Sequence, residues 1–229
     1  MSVTTVARLD LRFAPRPWPF ADERRADIDP HFAVARCDNP RLWNGRVLLL
    51  HGYSIENDVL RGSFFETDYA SLHAWLAWGR PAAGAWDCFG SAAVTGSDGA
   101  FLLGRMAAHT ANAGLVYFPC GTPDLDDIRD GQVDFEHSIA RELAEETGLS
   151  AQDFTPEPRW AIVEQPARLV AFRVLHASVP GEALRQRVLS YLAQGGDDEL
   201  DGVHLVRGPG DLSEATPDYA AEFLRSRWC

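Results

Sequence analysis

The sequence predicts a mixed α/β fold: a mixed sheet with helices packed on its faces, preceded by a smaller α/β extension. Three observations predict it. Strand-like and helix-like segments interleave along the chain, which places helices over a sheet. Asp98-Gly99 sits between two apolar runs and makes a hairpin turn, so part of the sheet is antiparallel. Hydrophobic residues are 46% and charged residues 24% of 229, enough to build an ordinary core and too apolar for wholesale disorder.

The elements follow in order. Residues 6–13 alternate, with Leu9, Leu11 and Phe13 on one face and Arg8, Asp10 and Arg12 on the other, the pattern of a half-buried strand. The proline-rich stretch 14–19 breaks regular structure. Asp29-Pro30 reads as the N-cap and first position of a short helix, which Asn39-Pro40 stops. Residues 46–51 and 60–65 read as strands. Thr67 caps a helix to about Trp78, closed by Gly79 and Pro81. The small residues of 81–84 mark a boundary, giving an extension over 1–84 and a main domain over 85–229. In the main domain, 89–95 and 101–105 form the hairpin and 115–118 is a further strand. An acidic, glycine-bearing loop over 119–132 leads into a helix over 134–147, which Gly148 terminates. Residues 159–163 and 169–175 are strands, 181–193 a helix and 203–206 a last strand. Thr216-Pro217 caps a final helix to about Arg227.

Composition excludes several kinds of function. The formal charge of -12 repels phosphate backbones and anionic lipid, so neither duplex nucleic acid nor a membrane surface is the expected partner. All 21 basic residues are arginine, which excludes lysine chemistry such as a Schiff base. The four cysteines, Cys37, Cys88, Cys120 and Cys229, show neither disulfide-scaffold density nor zinc spacing, so a reducing, cytoplasmic setting is expected. No apolar run approaches the ~18 residues a membrane span needs.

One segment carries chemistry: Arg141-Glu142-Leu143-Ala144-Glu145-Glu146-Thr147-Gly148-Leu149. Glu142, Glu145 and Glu146 are related by i, i+3 and i+4, so their carboxylates share one helix face. Like charges at that spacing cost a few tenths of a kcal/mol per pair, and the C-terminal end of a helix disfavours anions. A solvated acidic face is the common reason for such a run. A hard divalent cation is the chemical one, since clustered carboxylates supply the oxygen ligands that Mg²⁺ or Mn²⁺ requires.

The string resembles the second half of the Nudix box, G-x5-E-x7-R-E-U-x-E-E-x-G-U with U aliphatic, at every specified position. The stretch Leu115-Val116-Tyr117-Phe118-Pro119-Cys120-Gly121 is similar to the entry to that box, with Cys120 in place of one glycine. The first half departs from the pattern. Its glycine would fall at Asp127 and its glutamate at Val133, so the loop after Gly121 carries about six extra residues. Asp134 and Glu136 are the carboxylates placed to replace the missing glutamate.

The resemblance implies an α/β/α sandwich over about residues 86–206 and a metal-dependent pyrophosphohydrolase. Its substrate would be a nucleoside diphosphate linked to another moiety, cleaved to a nucleoside monophosphate and a second phosphorylated product. Carried over by position, Glu142, Glu145 and Glu146 would ligate Mg²⁺ or Mn²⁺, and Arg141 would orient a glutamate. The base would be Glu142 or Glu199, with Glu164 behind them. Gly121 would shape the loop beside the metal, and Arg105, at a strand end, would face a phosphate. Trp86 or Trp160 are candidates for stacking on a base; His109 and His137 are weaker candidates for phosphate contact, and Cys120 a weaker one for a nucleophile. The strings Arg41-Leu42-Trp43-Asn44-Gly45 and Thr67-Asp68-Tyr69 loosely resemble a Nudix branch that cleaves UDP-glucose, which ranks nucleoside diphosphate sugars first. The extension would then shape a substrate pocket or build a homodimer. The altered first half of the box leaves two alternatives: a catalytically silent Nudix-like module that binds a nucleotide or metabolite, and a domain using its acidic face for protein contacts.

Overall fold

The computed structural model describes residues 3–82 and 84–228. Met1, Ser2, Ala83 of the expected boundary and Cys229 lie outside the described residues. Two strands open the chain, β1 (Val3–Val6) and β2 (Arg8–Phe13), split at Ala7. Helices α1 (Pro19–Glu23) and α2 (Arg25–Asp38) follow, then a hairpin of β3 (Arg46–Glu56) and β4 (Val59–Asp68), then α3 (Tyr69–Ala77). The second hairpin is β5 (Asp87–Thr95) and β6 (Phe101–Met106). Three short strands, β7 (Val116–Tyr117), β8 (Ile128–Arg129) and β9 (Gln132–Val133), lead to α4 (Phe135–Thr147). After it come β10 (Phe154–Pro156), β11 (Trp160–Gln165), β12 (Arg168–Ala177), α5 (Gly181–Ala193), β13 (Leu200–Val206) and α6 (Asp218–Ser226).

The strands form two mixed sheets. The larger runs β1-β11-β12-β5-β6-β13, with β10 added on β12 and β7 on β6. The smaller runs β3-β4-β2-β9-β8. Period-two alternation explains why the larger sheet is covered on both faces. Along β12, Leu169, Ala171 and Leu175 point into a core shared with Ile139 and Leu143 of α4, Val188 of α5 and Phe64 of the smaller sheet. Val170, Phe172 and Val174 point into a second core, where Phe223 of α6 stacks on Phe172 with centroids 4.2 Å apart. Each such buried side chain contributes roughly 1.5–3 kcal/mol of transfer free energy. The expected helix-sheet-helix layering is therefore present in the larger sheet.

The boundary at residue 84 is crossed by strand pairing. β1 pairs with β11 in the larger sheet, and β2 pairs with β9 through Arg12 and Gln132. The chain before residue 84 thus supplies an edge strand to one sheet and takes an edge hairpin from the later chain into the other.

Three local expectations are corrected. Pro30 lies inside α2 and Asp29 is not its N-cap. The helix starts at Arg25 because Ile28, 0% exposed, buries against Ala70 and Ala74 of α3 only if that earlier turn is helical. The cap of α3 is Asp68, whose carboxylate accepts from the Ser71 amide at 2.9 Å. Thr67 is still in β4, buried and opposite Val47. Strands 46–51 and 60–65 extend to a turn at Asn57-Asp58, both at positive φ (50° and 67°), as a two-residue hairpin turn requires. No helix among the described residues is long and apolar enough to cross a membrane.

Candidate active site

Helix α4 is amphipathic in a way that places acid where core would be expected. Ile139 and Leu143 anchor it to β5, and the next turn on that side brings Glu146 down with them, 4% exposed. The Glu146 carboxylate does not lie there unpaired, since Oε1 accepts the Cys120 amide at 3.1 Å. Burial nevertheless pushes its pKa well above the usual carboxylate value, and nearby Glu142 adds to the shift. Glu142, one turn earlier, is 15% exposed. Burial first, then the charges of Glu145 and Glu199, raise it to about 7 against the opposing pull of Arg141.

Gly121 makes room for this arrangement. A Cβ at that position would stand 2.1 Å from Glu142 Oε1, closer than any atom pair tolerates. The loop that carries Gly121 is fixed from outside, because the Leu48 amide of β3 donates to the Pro123 carbonyl at 2.8 Å.

Arg141 spreads over three carboxylates: Glu142 at 2.9 Å, Glu145 at 3.1 Å and Asp127 at 3.4 Å. Burial opposes its charge, but Glu142, Asp127 and Glu145 hold the guanidinium well above its ordinary value. Asp127 is the residue that the sequence reading missed. It is 0% exposed and follows Asp124 in a short 3₁₀ turn, where it accepts the Asp124 amide at 3.1 Å. Neither expected replacement reaches Arg141. Asp134 caps α4 through the His137 amide, and Glu136 pairs with Arg173 at 2.9 Å. The six extra residues explain the difference. They form the 3₁₀ turn and the β8–β9 hairpin, which carry Asp127 back under Arg141 while Val133 is buried in the core. The spacing Asp124-x-x-Asp127 is a capping pattern, a local sign of the turn though not of its partner.

Asp127→Asn is expected to keep the fold and lose the buried counter-charge. Arg141 would then draw harder on Glu142, and affinity for Mn²⁺ should fall roughly 10–100-fold, the usual effect of removing a residue that orients a ligand. Calorimetric titration with Mn²⁺ checks this, and unchanged affinity would reject the role.

Glu145 is turned outward, 51% exposed and held by Arg141. Among the described residues, no three His, Cys, Asp or Glu side chains converge as a metal-holding group. Glu142 and Glu146 still fit a hard cation: both are oxygen donors, both are desolvated, and the charge of Glu142 raises the proton affinity of Glu146. Metal-free protein should therefore lose stability as pH rises. The folded state holds the Glu142 proton up to about 7 while the unfolded chain releases it near 4.5, so the stabilisation is full below 4.5 and gone above 7. The loss is on the order of 3 kcal/mol. Thermal melts across that window in EDTA should show it, and Mg²⁺ should reverse it.

Glu142 lines a cavity of about 620 Å³. Glu199 lies across it at the exposed lip, its carboxyl raised by partial burial and by Asp197. Arg41 also lines the cavity and pairs with Asp198 at 2.6 Å; Asn39 donates to the His109 carbonyl at 2.5 Å. Other expected residues are elsewhere. Arg105 does not face the cavity, because Asp201 holds its guanidinium at 2.6 Å. Glu164 accepts the Tyr53 hydroxyl at 2.7 Å, Trp86 meets Tyr53 edge-on, and Trp160 lies beneath Arg173. His137 contacts Arg129; His109, by contrast, lines the cavity and reaches Asp198 at 3.4 Å. Cys120 is at the site, but burial pushes its thiol well up, the reverse of what a thiolate nucleophile needs.

No family model and no curated protein matches the chain. Among solved structures it is similar to a MutT protein from Methanosarcina mazei Go1, at 20% identity and a TM-score of 0.41, over 62% of this chain and 91% of that one. It is similar to a MutT NUDIX hydrolase from Burkholderia pseudomallei at 20% identity and 0.40, over 60% and 96%. A Deinococcus radiodurans protein gives 15% and 0.49, over 80% and 99%. No residue role is taken from these likenesses.

Proposed function

We propose that this chain is a Nudix-type pyrophosphohydrolase. It would cleave a nucleoside diphosphate linked to another moiety, with a nucleoside diphosphate sugar as the first candidate and Mg²⁺ or Mn²⁺ as cofactor. The observation that carries this reading is Glu142, largely buried beside Gly121 and lining the cavity, with Glu146 buried one turn further along α4. Two desolvated carboxylates, of which only Glu142 has an arginine partner, are a poor stability device and a good cation seat.

Glu142 and Glu146 would hold the cation, with Glu145 joining by release from Arg141. When bound, the cation neutralises the diphosphate and stabilises charge on the leaving oxygen. Arg141, anchored by Asp127, keeps Glu142 aimed into the cavity. With Glu142 committed to the cation, its proton affinity falls. Glu199, which lines the same cavity, would then take the proton of the attacking water. Water adds across one P–O–P bridge, giving a nucleoside monophosphate and a second phosphorylated product.

The test is incubation with Mg²⁺ and a panel of nucleoside diphosphate sugars, dinucleotides and nucleoside triphosphates, reading monophosphate release. Release that EDTA abolishes supports the hydrolase. Tight nucleotide binding without turnover would identify the silent module instead, and no metal-dependent binding would leave the acidic face as a protein contact.

A further inference from the structure

The 620 Å³ cavity is one lobe of a larger cleft. A second hollow of about 420 Å³ adjoins it, and Tyr69, Tyr117 and Gly121 line both. The two lobes differ in chemistry. Glu142, Asp198, Glu199 and Arg41 line only the first. Phe89, Tyr219, His73, Leu76 and Arg168 line only the second.

The second lobe carries no net formal charge. Arg168 gives its guanidinium to Asp87 at 2.7 Å and lies over the Tyr219 and Phe89 rings at 5.2 and 5.8 Å. His73 is held towards its neutral form by burial and by neighbouring His31. The Tyr117 hydroxyl accepts from the Asn112 amide at 3.0 Å, which leaves its own proton free to be donated into the lobe. The lobe is thus walled by aromatic side chains and carries a donor and no uncompensated charge. An anionic group gains nothing there, whereas an uncharged heteroaromatic ring gains stacking and a hydrogen bond. The first lobe, polar and rimmed by Arg41 and Asp198, suits a hydroxyl-rich group. Both meet at Gly121, beside Glu142.

We infer that the apolar lobe seats the nucleobase of the substrate and the polar lobe its second moiety, with the diphosphate spanning Gly121. This rests on the hydrolase reading for what lies between the lobes. One wall of the base seat is α3, which supplies Tyr69, His73, Leu76 and Ala77. Base recognition is therefore shared between α3, before position 84, and Phe89, Tyr117 and Tyr219 after it, and Tyr69, lining both lobes, is a specificity-determining residue.

Binding of uncharged nucleosides in EDTA tests the seat apart from metal and turnover. The four common nucleosides would be titrated by ligand-observed NMR against the unaltered protein, Ala77→Trp, Tyr69→Ala and Arg41→Ala. Ala77 is exposed at the end of α3, so tryptophan there fills the lobe without entering the core. Ala77→Trp and Tyr69→Ala should each weaken nucleoside binding about tenfold or more, the scale of losing one stacking contact. Arg41→Ala should stay within about twofold of the unaltered protein, an effect well under one stacking contact. Equal binding by all four proteins, loss only in Arg41→Ala, or no binding by the unaltered protein would overturn the assignment. A protein that shows the expected pattern yet never releases monophosphate would keep the base seat and reject the hydrolase. Hydrolysis without the pattern would do the reverse.

Discussion

Glu146→Gln is expected to lower hydrolysis by at least ~10²–10³-fold, the scale of removing one preorganised electrostatic group, while raising the melting temperature of the metal-free protein at pH 8. The two effects share a cause. The carboxylate is buried beside Glu142, with only the Cys120 amide in compensation. At pH 8 the folded protein must either keep a carboxylate desolvated or hold a proton that the unfolded chain gives up, and both cost stability. Glutamine keeps the shape and the acceptor for Cys120 but carries no charge. It relieves the folded state and cannot ligate a cation with the same strength. Thermal melts with EDTA, set beside a phosphate-release assay, would read both. A metal-free Tm that falls on substitution, or activity that survives it, would remove Glu146 from the proposed centre.

Gly121→Ala should lower activity roughly 10²-fold with little change in stability. The glycine is not required by its backbone, since its φ is not positive. It is required by its neighbour: the new methyl would stand 2.1 Å from Glu142 Oε1 and 2.3 Å from its Cδ. The carboxylate, at the end of a flexible side chain, would yield before the backbone does. A shift of about 1 Å in such a group is enough to cost two orders of magnitude in rate. Weaker Mn²⁺ binding with an unchanged circular dichroism spectrum is the expected signature. An alanine enzyme as fast as the parent would show that Glu142 need not stand where the structure puts it.

Much of this was legible in the sequence. The alternation of β2, the Asp98-Gly99 turn and α4 with Gly148 after it all follow from local patterns whose packing agrees with them. The acidic face of α4 was legible too, because i, i+3 and i+4 spacing is a property of the helix alone. What was hidden depends on contacts between distant segments. Asp127 lies six positions from Gly121, and nothing local shows that its chain folds back under Arg141. The Asp130-Gly131 pair was a visible clue, a two-residue turn with both residues at positive φ (51° and 76°), but the strands it joins are two residues each. Arg105 failed for the opposite reason. It stands at the expected strand end, but strand pairing brings Asp201 beside it and uses up its charge.

The pairing of β2 with β9 ties the proposed site to distant chain. The hairpin that follows Asp127 has its outer hydrogen bonds completed by Arg12 and Phe13, so the first dozen residues act as a brace on the loop that aims Arg141. Shortening the protein to residues 85–229 would accordingly leave β11 and β9 with bare edges and Asp127 unmoored. Such a fragment should aggregate rather than turn over substrate slowly. Appendage and engine are held as one folded unit here.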